Sequence, residues 1–280
     1  MISIVGIGDF SSKIANKHIL YPQYTVYNIN TSKTNEKCFL LPFLKNSEEY
    51  ENKCPQNISS FIDDSNDEIS IFLDGSESIS GVILKFLENL KSRKINIYYI
   101  RSDLELMGNL EKIQDKICFN ILQEYARSGL FNKFVIFDRI KLEQTLNNIS
   151  ILEIEEELGK LVSSTIHYVN VYTNIKPILS NSLDLSELGR IQTYGLSEIN
   201  SPTINWFYDL QNIEEIIYYF AINSNTLKKE RNLLQTIKNQ VKEKQKENVK
   251  VLFSIFETSY EQNFVYCVGR TKFIQQQSRS

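Results

Sequence analysis

Short apolar runs alternate with amphipathic stretches along the first half of the chain. Runs rich in Ile, Val, Phe and Tyr predict five strands, at residues 2–7, 24–29, 68–73, 95–100 and 133–137. Apolar positions at helical spacing predict helices at residues 11–20, 82–93 and 110–127. Residues 31–67 are polar and irregular. Because strands separated by helices are typical of βαβ units, this half predicts a parallel, Rossmann-like α/β sheet with helices on both faces.

The second half has a different pattern and begins with a long helix predicted at residues 150–168. An apolar helix is predicted around 213–220 and a strongly charged one at 226–248. Residues 250–256 and 264–270 are apolar runs on either side of a polar turn, which predicts an antiparallel β-hairpin. We therefore expect a first domain, a central connecting helix, and a smaller α+β domain with a short polar tail, at residues 1–149, 150–169 and 170–280.

The composition argues against several kinds of protein. The formal charge of −3 is unlike that of a bulk electrostatic nucleic-acid binder, so no direct nucleic-acid binding is expected. No apolar run approaches the roughly 20 residues of a membrane helix, and no basic region precedes the first apolar run as in a secretory signal. Four scattered cysteines without a C-x-x-C pair, and only two histidines, predict no metal site and suit a reducing cytoplasm.

Two loops carry the candidate chemistry, because ligands of open parallel sheets bind beyond the carboxyl ends of the strands. Residues 6–12 (GIGDFSS) follow the first predicted strand, and residues 75–81 (GSESISG) follow the third. Each loop would bring backbone N–H groups and a helix N-terminus to one place, which favours an anion. Neither loop completes a dinucleotide fingerprint, and the chain contains no Walker motif.

Four short motifs, taken in order, resemble those of one family. Residues 75–81 are similar to its glycine-rich phosphate loop, and Ile29-Asn30-Thr31 is similar to the Asn-Thr turn after its second strand. Met107-Gly108 lies where that family has a ribose-side turn, and residues 182–188 (SLDLSEL) resemble its acidic loop after the long central helix. The family is the tubulin/FtsZ superfamily, and the order of the motifs agrees with it over roughly residues 1–270.

The resemblance implies a protein that binds GTP or GDP in residues 1–149 and polymerises head to tail with further copies of itself. A bridging Mg²⁺ could accompany the nucleotide, although nothing in the sequence requires one. The resemblance implies that Asp184 and Glu187 complete the active site of the next subunit as catalytic acids. It also implies that Glu156, or its neighbour Glu155 or Glu157, reads the guanine edge. With Glu156, the cofactor-binding residues carried over from the family are Gly6, Gly8, Asn30, Gly75, Ser78, Ser80, Gly81 and Gly108.

Both loops depart from the family pattern. The carboxylates of Asp9 and Glu77 would point at a bound triphosphate and repel it. In the second loop, Ile79 stands at a position where the family motif has a different residue. Asn109 stands where an arginine is expected near the ribose. We therefore expect weak or absent hydrolysis, as in a pseudo-GTPase, in a filament-forming cytoskeletal protein. Ile, Asn and Lys are abundant and only three alanines occur, which indicates an AT-biased genome. Such a genome favours a phage- or plasmid-encoded protein of this family. A phage-encoded protein would act in the cytoplasm of the host.

Two alternatives stay open. A structural or adaptor protein, for example one within a virion, would keep the fold without nucleotide and dock on other assembly subunits. A dinucleotide-binding enzyme would use Gly6 and Gly8 and would need an acidic residue about 20 positions later. Residues 19–35 contain no acidic residue, which disfavours this second alternative.

Overall fold

The computed structural model describes residues 1–63, 65–90, 92–146, 149–181, 189–245 and 247–276. The chain divides into two compact units. The first comprises Met1–Ser163 with the described part of Ile274–Ser280, and the second comprises Ser164–Phe273. No helix within these ranges combines the length and the apolar character that crossing a membrane requires.

The first unit is built on a parallel sheet. Its strands, over the described residues, are β1 (Ile2–Ile7), β2 (Tyr24–Asn30), β3 (Cys38–Leu40), β4 (Glu68–Leu73), β5 (Lys94–Arg101) and β6 (Lys133–Asp138). They are ordered β3-β2-β1-β4-β5-β6, and each neighbouring pair is parallel. The helices that begin in this unit are α1 (Asp9–Lys17), α2 (Ser47–Asn52), α3 (Ile83–Glu88), α4 (Asn109–Arg127), α5 (Arg139–Thr145) and α6 (Ile154–Asn174).

Burial along the central strands explains why they read as continuous apolar runs. In β1, β4 and β5, every residue after the first is buried. Because successive side chains of a strand point to opposite faces, this pattern means that both faces of the sheet are covered. The prediction of a parallel α/β sheet with helices on both faces is confirmed, and each β-to-α turn lies at the carboxyl end of its strand.

The second unit contains a mixed sheet. Its strands, over the described residues, are β7 (Leu179–Ser180), β8 (Ile191–Ser197), β9 (Ile204–Trp206), β10 (Glu215–Asn223), β11 (Lys250–Thr258) and β12 (Phe264–Thr271). Two helices, α7 (Ser224–Lys229) and α8 (Leu233–Gln245), lie between β10 and β11. The order is β8-β12-β10-β11-β7, with β9 paired to β8.

Two predictions for this unit are wrong. Residues 213–220 do not form the expected helix, because residues 215–220 belong to strand β10. Its alternate residues pack in a core with α8, and Tyr219 on the other face stacks on Tyr172 of α6. Burial on both faces makes residues 216–222 of the strand continuously apolar, so the period of two is hidden. The expected hairpin is absent as well, because β10 lies between the two strands, parallel to β11 and antiparallel to β12.

Other boundaries differ from the predictions. Helix α1 begins at Asp9, two residues before the predicted start, with Gly8 as its N-cap. The charged stretch predicted as one helix at 226–248 forms α7 and α8, and the irregular region 31–67 contains β3 and α2. The helix predicted at 82–93 is a 3-10 helix, Ser78–Val82, followed by the short α3.

Candidate functional site

A cleft of about 330 Å³ opens at the carboxyl ends of β1, β2 and β4. The turns after these strands meet there, as the two candidate loops predict. Three of the residues expected to bind a cofactor, Gly8, Asn30 and Ser78, line it. The rest of its lining is Asp9, Thr31, Phe43, Leu44, Lys45, Tyr50, Glu77 and Ile79.

The carboxylate of Glu77 lies at the N-terminus of α1. Its Oε2 accepts a hydrogen bond from the backbone N–H of Asp9 at 2.9 Å, and its Oε1 accepts one from Phe10 at 3.3 Å. These N–H groups belong to the first turn of the helix, where no preceding carbonyl can bind them and where the helix dipole favours an anion. Glu77 therefore occupies the anion position that the first loop provides.

Gly8 makes this contact possible. Its φ of 89° and ψ of −178° lie in a region that is essentially restricted to glycine. A Cβ at this position would lie 1.7 Å from Oε2 of Glu77. The glycine that the motif assigns to phosphate approach thus admits the chain's own carboxylate.

Asn30 holds the turn after β2 against the start of α1. Its Nδ2 donates to Oδ1 of Asp9 at 2.9 Å, and its Oδ1 accepts from the N–H of Thr31 at 2.6 Å. The N–H of Gly8 donates to the carbonyl of Ile29 at 3.1 Å. The Asp9 carboxylate is consequently held in position in the lining of the cleft.

Gln114 on α4 anchors the second loop. Its Nε2 lies within hydrogen-bond distance of the carbonyls of Gly75, Ser76 and Glu77, at 3.2, 3.3 and 2.6 Å. It also approaches Oγ of the buried Ser80, which in turn donates to the carbonyl of Gly75 at 3.1 Å. Gln114 thus fixes the backbone of this loop with its carbonyl groups toward α4. In this backbone orientation the side chain of Glu77 points toward α1. The sequence carries no signal for Gln114, which lies 37 residues from Glu77.

The remaining predicted glycines serve packing in this structure. A Cβ on Gly6 would meet Cα of Ser12 at 2.7 Å, and one on Gly75 would meet Oη of Tyr99 at 1.8 Å. A Cβ on Gly81 would lie 2.0 Å from the carbonyl oxygen of Ser47, where α2 crosses the second loop. Gly108 is the N-cap of α4. None of these four, nor Ser80, is among the residues that line the cleft.

The acids at the start of α6 are engaged by cations. Glu156 pairs with Lys17 of α1, which lowers the pKa of its carboxyl, and with Lys160 at 3.7 Å. Glu155 pairs with Lys13 at 3.2 Å and with Arg139 at 2.7 Å. These ion pairs connect α6 to α1 and α5, and Glu156 is not part of the cleft lining. Its expected role as a base reader therefore stays a prediction.

Asp184 and Glu187, the expected catalytic acids, fall in 182–188, outside the described residues. Over the residues that are described, no group of three or more His, Cys, Asp or Glu side chains is placed to hold a metal ion.

The charges of the cleft oppose a phosphate. Asp9 and Glu77 provide two carboxylates and Lys45 one ammonium group. Burial raises the pKa of the Glu77 carboxyl to about 7, the Asp74 and Asp9 carboxylates add to the rise, and the two backbone hydrogen bonds oppose it. The N–H groups of Asp9 and Phe10 at the start of α1 thus already have an anionic acceptor, the Glu77 carboxylate.

Comparison of the structure with solved structures identifies the fold. TubZ of Bacillus thuringiensis serovar israelensis, in a GTPγS-form protofilament, is 13% identical with a TM-score of 0.69, over 96% of this chain and 86% of that one. TubZ-Bt in a two-stranded filament gives 13% identity and a TM-score of 0.70, over 96% and 84%. An empty FtsZ dimer from M. jannaschii gives 12% identity and a TM-score of 0.67, over 96% and 87%.

The chain therefore has the fold of the tubulin/FtsZ superfamily, in a divergent form, as the ordered motifs predict. No protein-family model matches the sequence, and no curated protein sequence matches it either.

Proposed function

We propose that this chain is a tubulin/FtsZ-like protein that self-associates end to end into filaments, in the cytoplasm, with weak guanine-nucleotide binding and weak or absent hydrolysis. The observation that carries the proposal is the fold, which 96% of the chain shares with TubZ in filaments. The contact of Glu77 with α1 supports the second part, because it fills the phosphate position of the first loop.

Sedimentation of the purified chain over a range of concentrations, with electron microscopy of the pellets, tests self-association. We expect a critical concentration above which pelleted protein increases linearly and forms filaments. A chain that stays monomeric at every concentration, with and without GTP and Mg²⁺, would refute the proposal.

The acidic loop provides the test of hydrolysis. If Asp184 and Glu187 act across the subunit interface, the double variant Asp184→Ala/Glu187→Ala keeps the GTP binding of the wild-type chain and loses its residual phosphate release. Single-turnover phosphate release in assembled samples measures this. Phosphate release that survives in the double variant would remove both residues from the catalytic assignment.

The second candidate is a scaffold or adaptor that uses the fold without nucleotide, in a phage or plasmid setting. The Glu77 contact also favours this candidate. Because the Glu77 carboxylate already accepts hydrogen bonds from the N–H groups at the start of α1, no ligand is needed there. Assembly that is identical with GTP, with GDP and without nucleotide would select this candidate. Assembly that requires GTP would exclude it.

A further inference from the structure

We propose that Glu77 is an internal competitor for nucleotide phosphate: it closes the anion position of α1, and a nucleotide binds only after this side chain leaves. This inference rests on the proposed function, because it takes the cleft at the carboxyl ends of β1, β2 and β4 as the nucleotide site. The departures of both loops from the family pattern predict weak nucleotide binding in general terms. The inference names Glu77 as the residue that causes it.

The geometry of the contact supports competition. A carboxylate and a phosphate oxygen are both anionic acceptors that bind the free N–H groups of a helix N-terminus. Glu77 uses both of its oxygens there, one for Asp9 and one for Phe10. A phosphate oxygen within hydrogen-bond distance of the same two N–H groups would overlap the carboxylate, so the two anions exclude each other.

The contact is also built into the neighbouring structure. Gly8 leaves the space that Glu77 fills, and Gln114 fixes the carbonyl of Glu77 at 2.6 Å. Oδ1 of the buried Asp74 accepts hydrogen bonds from the N–H and the hydroxyl of Ser76, which holds the residue before Glu77. Three separate elements therefore place this side chain at α1.

Burial and the surrounding charge both disfavour the ionised Glu77 carboxylate, which favours its displacement. Burial and the carboxylates of Asp74 and Asp9 raise the pKa of the Glu77 carboxyl, so its ionised form is less stable there than in water. The lining of the cleft contributes one cation, Lys45. Removing the Glu77 charge would leave one carboxylate, Asp9, and one ammonium group, Lys45, in the lining, so the cleft would repel an incoming phosphate less.

The test compares the wild-type chain with Glu77→Gln and Glu77→Gly. Glu77→Gln removes the charge and keeps the shape, whereas Glu77→Gly removes the whole side chain and restores a glycine to the loop. Glu48→Gln, on an exposed position of the adjacent α2, is the matched control for the loss of one negative charge. Binding of fluorescently labelled GTP with Mg²⁺ is measured at one pH and ionic strength, and circular dichroism confirms the fold of each variant.

We expect GTP to bind Glu77→Gly at least about tenfold more tightly than the wild-type chain, with Glu77→Gln between them and Glu48→Gln unchanged. Equal affinity in the wild-type chain and both folded Glu77 variants would overturn the inference. If all four proteins form filaments and neither Glu77 variant gains affinity, the competitor role fails while self-association stands. If the variants gain affinity and none of the proteins assembles, the competitor role stands and the proposed function fails.

Discussion

At the scale of single residues, the direction of the Glu77 side chain determines whether the loop at residues 6–12 can offer its N–H groups to a ligand. The sequence predicts that residues 6–12 and 75–81 meet, and they do. It cannot predict whether Glu77 points into the cleft or toward solvent, because that direction depends on Gln114, a distant residue without a motif. Likewise, the spacing of Gly6, Gly75 and Gly81 indicates phosphate approach, although each of them here admits a protein atom.

Gly8→Ala is expected to destabilise the first unit by about 1–3 kcal/mol, since alanine disfavours this backbone conformation and its Cβ would displace Glu77. Gly159→Ala is the control. Gly159 lies inside α6, and its Cβ would meet only Cε of Lys17, at an ordinary 3.6 Å. Alanine there should stabilise the chain by roughly 0.5–1 kcal/mol. Urea unfolding measures both changes, and an unaltered midpoint for Gly8→Ala would contradict the described turn.

The raised pKa of the Glu77 carboxyl also predicts how the stability of the protein depends on pH. The folded pKa of this group is about 7 against an ordinary value of 4.5, so the folded chain holds a proton that the unfolded chain releases between these values. The stabilisation from this group is complete below the ordinary pKa and decreases as the pH rises through about 7. The titratable groups described next to it include Asp9 on α1, Asp74 after β4, and Lys45 and Tyr50 in the cleft lining.

The measurement is urea unfolding of the wild-type chain and of Glu77→Gln from about pH 5 to about pH 8. The stability of the wild-type chain relative to the variant should fall across this range, because glutamine does not titrate. A difference that stays constant with pH would show that the Glu77 carboxyl has an ordinary pKa.

At the scale of helices and strands, prediction succeeds where a local pattern determines the element. The five strands of the first half form because a run of β-branched and aromatic residues is buried on both faces. Prediction fails in the second unit, where the two strands expected to form a hairpin pair with β10 instead. Adjacent strands joined by a polar turn favour a hairpin locally, and only the pairing with a third, distant strand overrides that preference.

Glu215 at the start of β10 provides a test of this strand order. It is buried, and it pairs with Arg270 of β12 and Lys250 of β11 at 2.9 Å each, across the two ladders. Glu215→Ala should cost about 3 kcal/mol or more, because the largely buried guanidinium of Arg270 loses the carboxylate that balances its charge. Glu214→Ala removes a more exposed pair with Lys272 and should cost about 1 kcal/mol or less. Equal losses of stability in thermal unfolding would contradict the position of β10 between β11 and β12.

At the scale of the whole molecule, the first unit is not continuous in sequence. Gln123 on α4 donates to the carbonyl of Gln275 at 3.2 Å and accepts from its N–H at 2.7 Å, and both residues are fully buried. Residues 274–276 thus complete a unit that otherwise ends at Ser163. The sequence predicts only a short polar tail at this position. A short segment without a periodic pattern does not indicate which part of the chain it packs against.

Removing residues 274–280 should destabilise the first unit by about 1–3 kcal/mol, since the buried amide of Gln123 would lose both of its hydrogen bonds to Gln275. Removing only residues 277–280 is the control, and it leaves this pair intact. Hydrogen exchange should report faster opening of β4 and β5 in the longer deletion, with β10 unchanged. Equal exchange in the two deletions would contradict the described role of Gln275.

The interrupted first unit has a consequence for synthesis on the ribosome. About 110 residues separate Ser163 from Ile274, and at the usual elongation rates they take roughly 5 to 20 seconds to translate. During that interval the nascent chain carries α4 without the segment that binds Gln123. Codons that slow elongation within the second unit would therefore lengthen the time for which the emerging protein stays incomplete and accessible to chaperones and proteases.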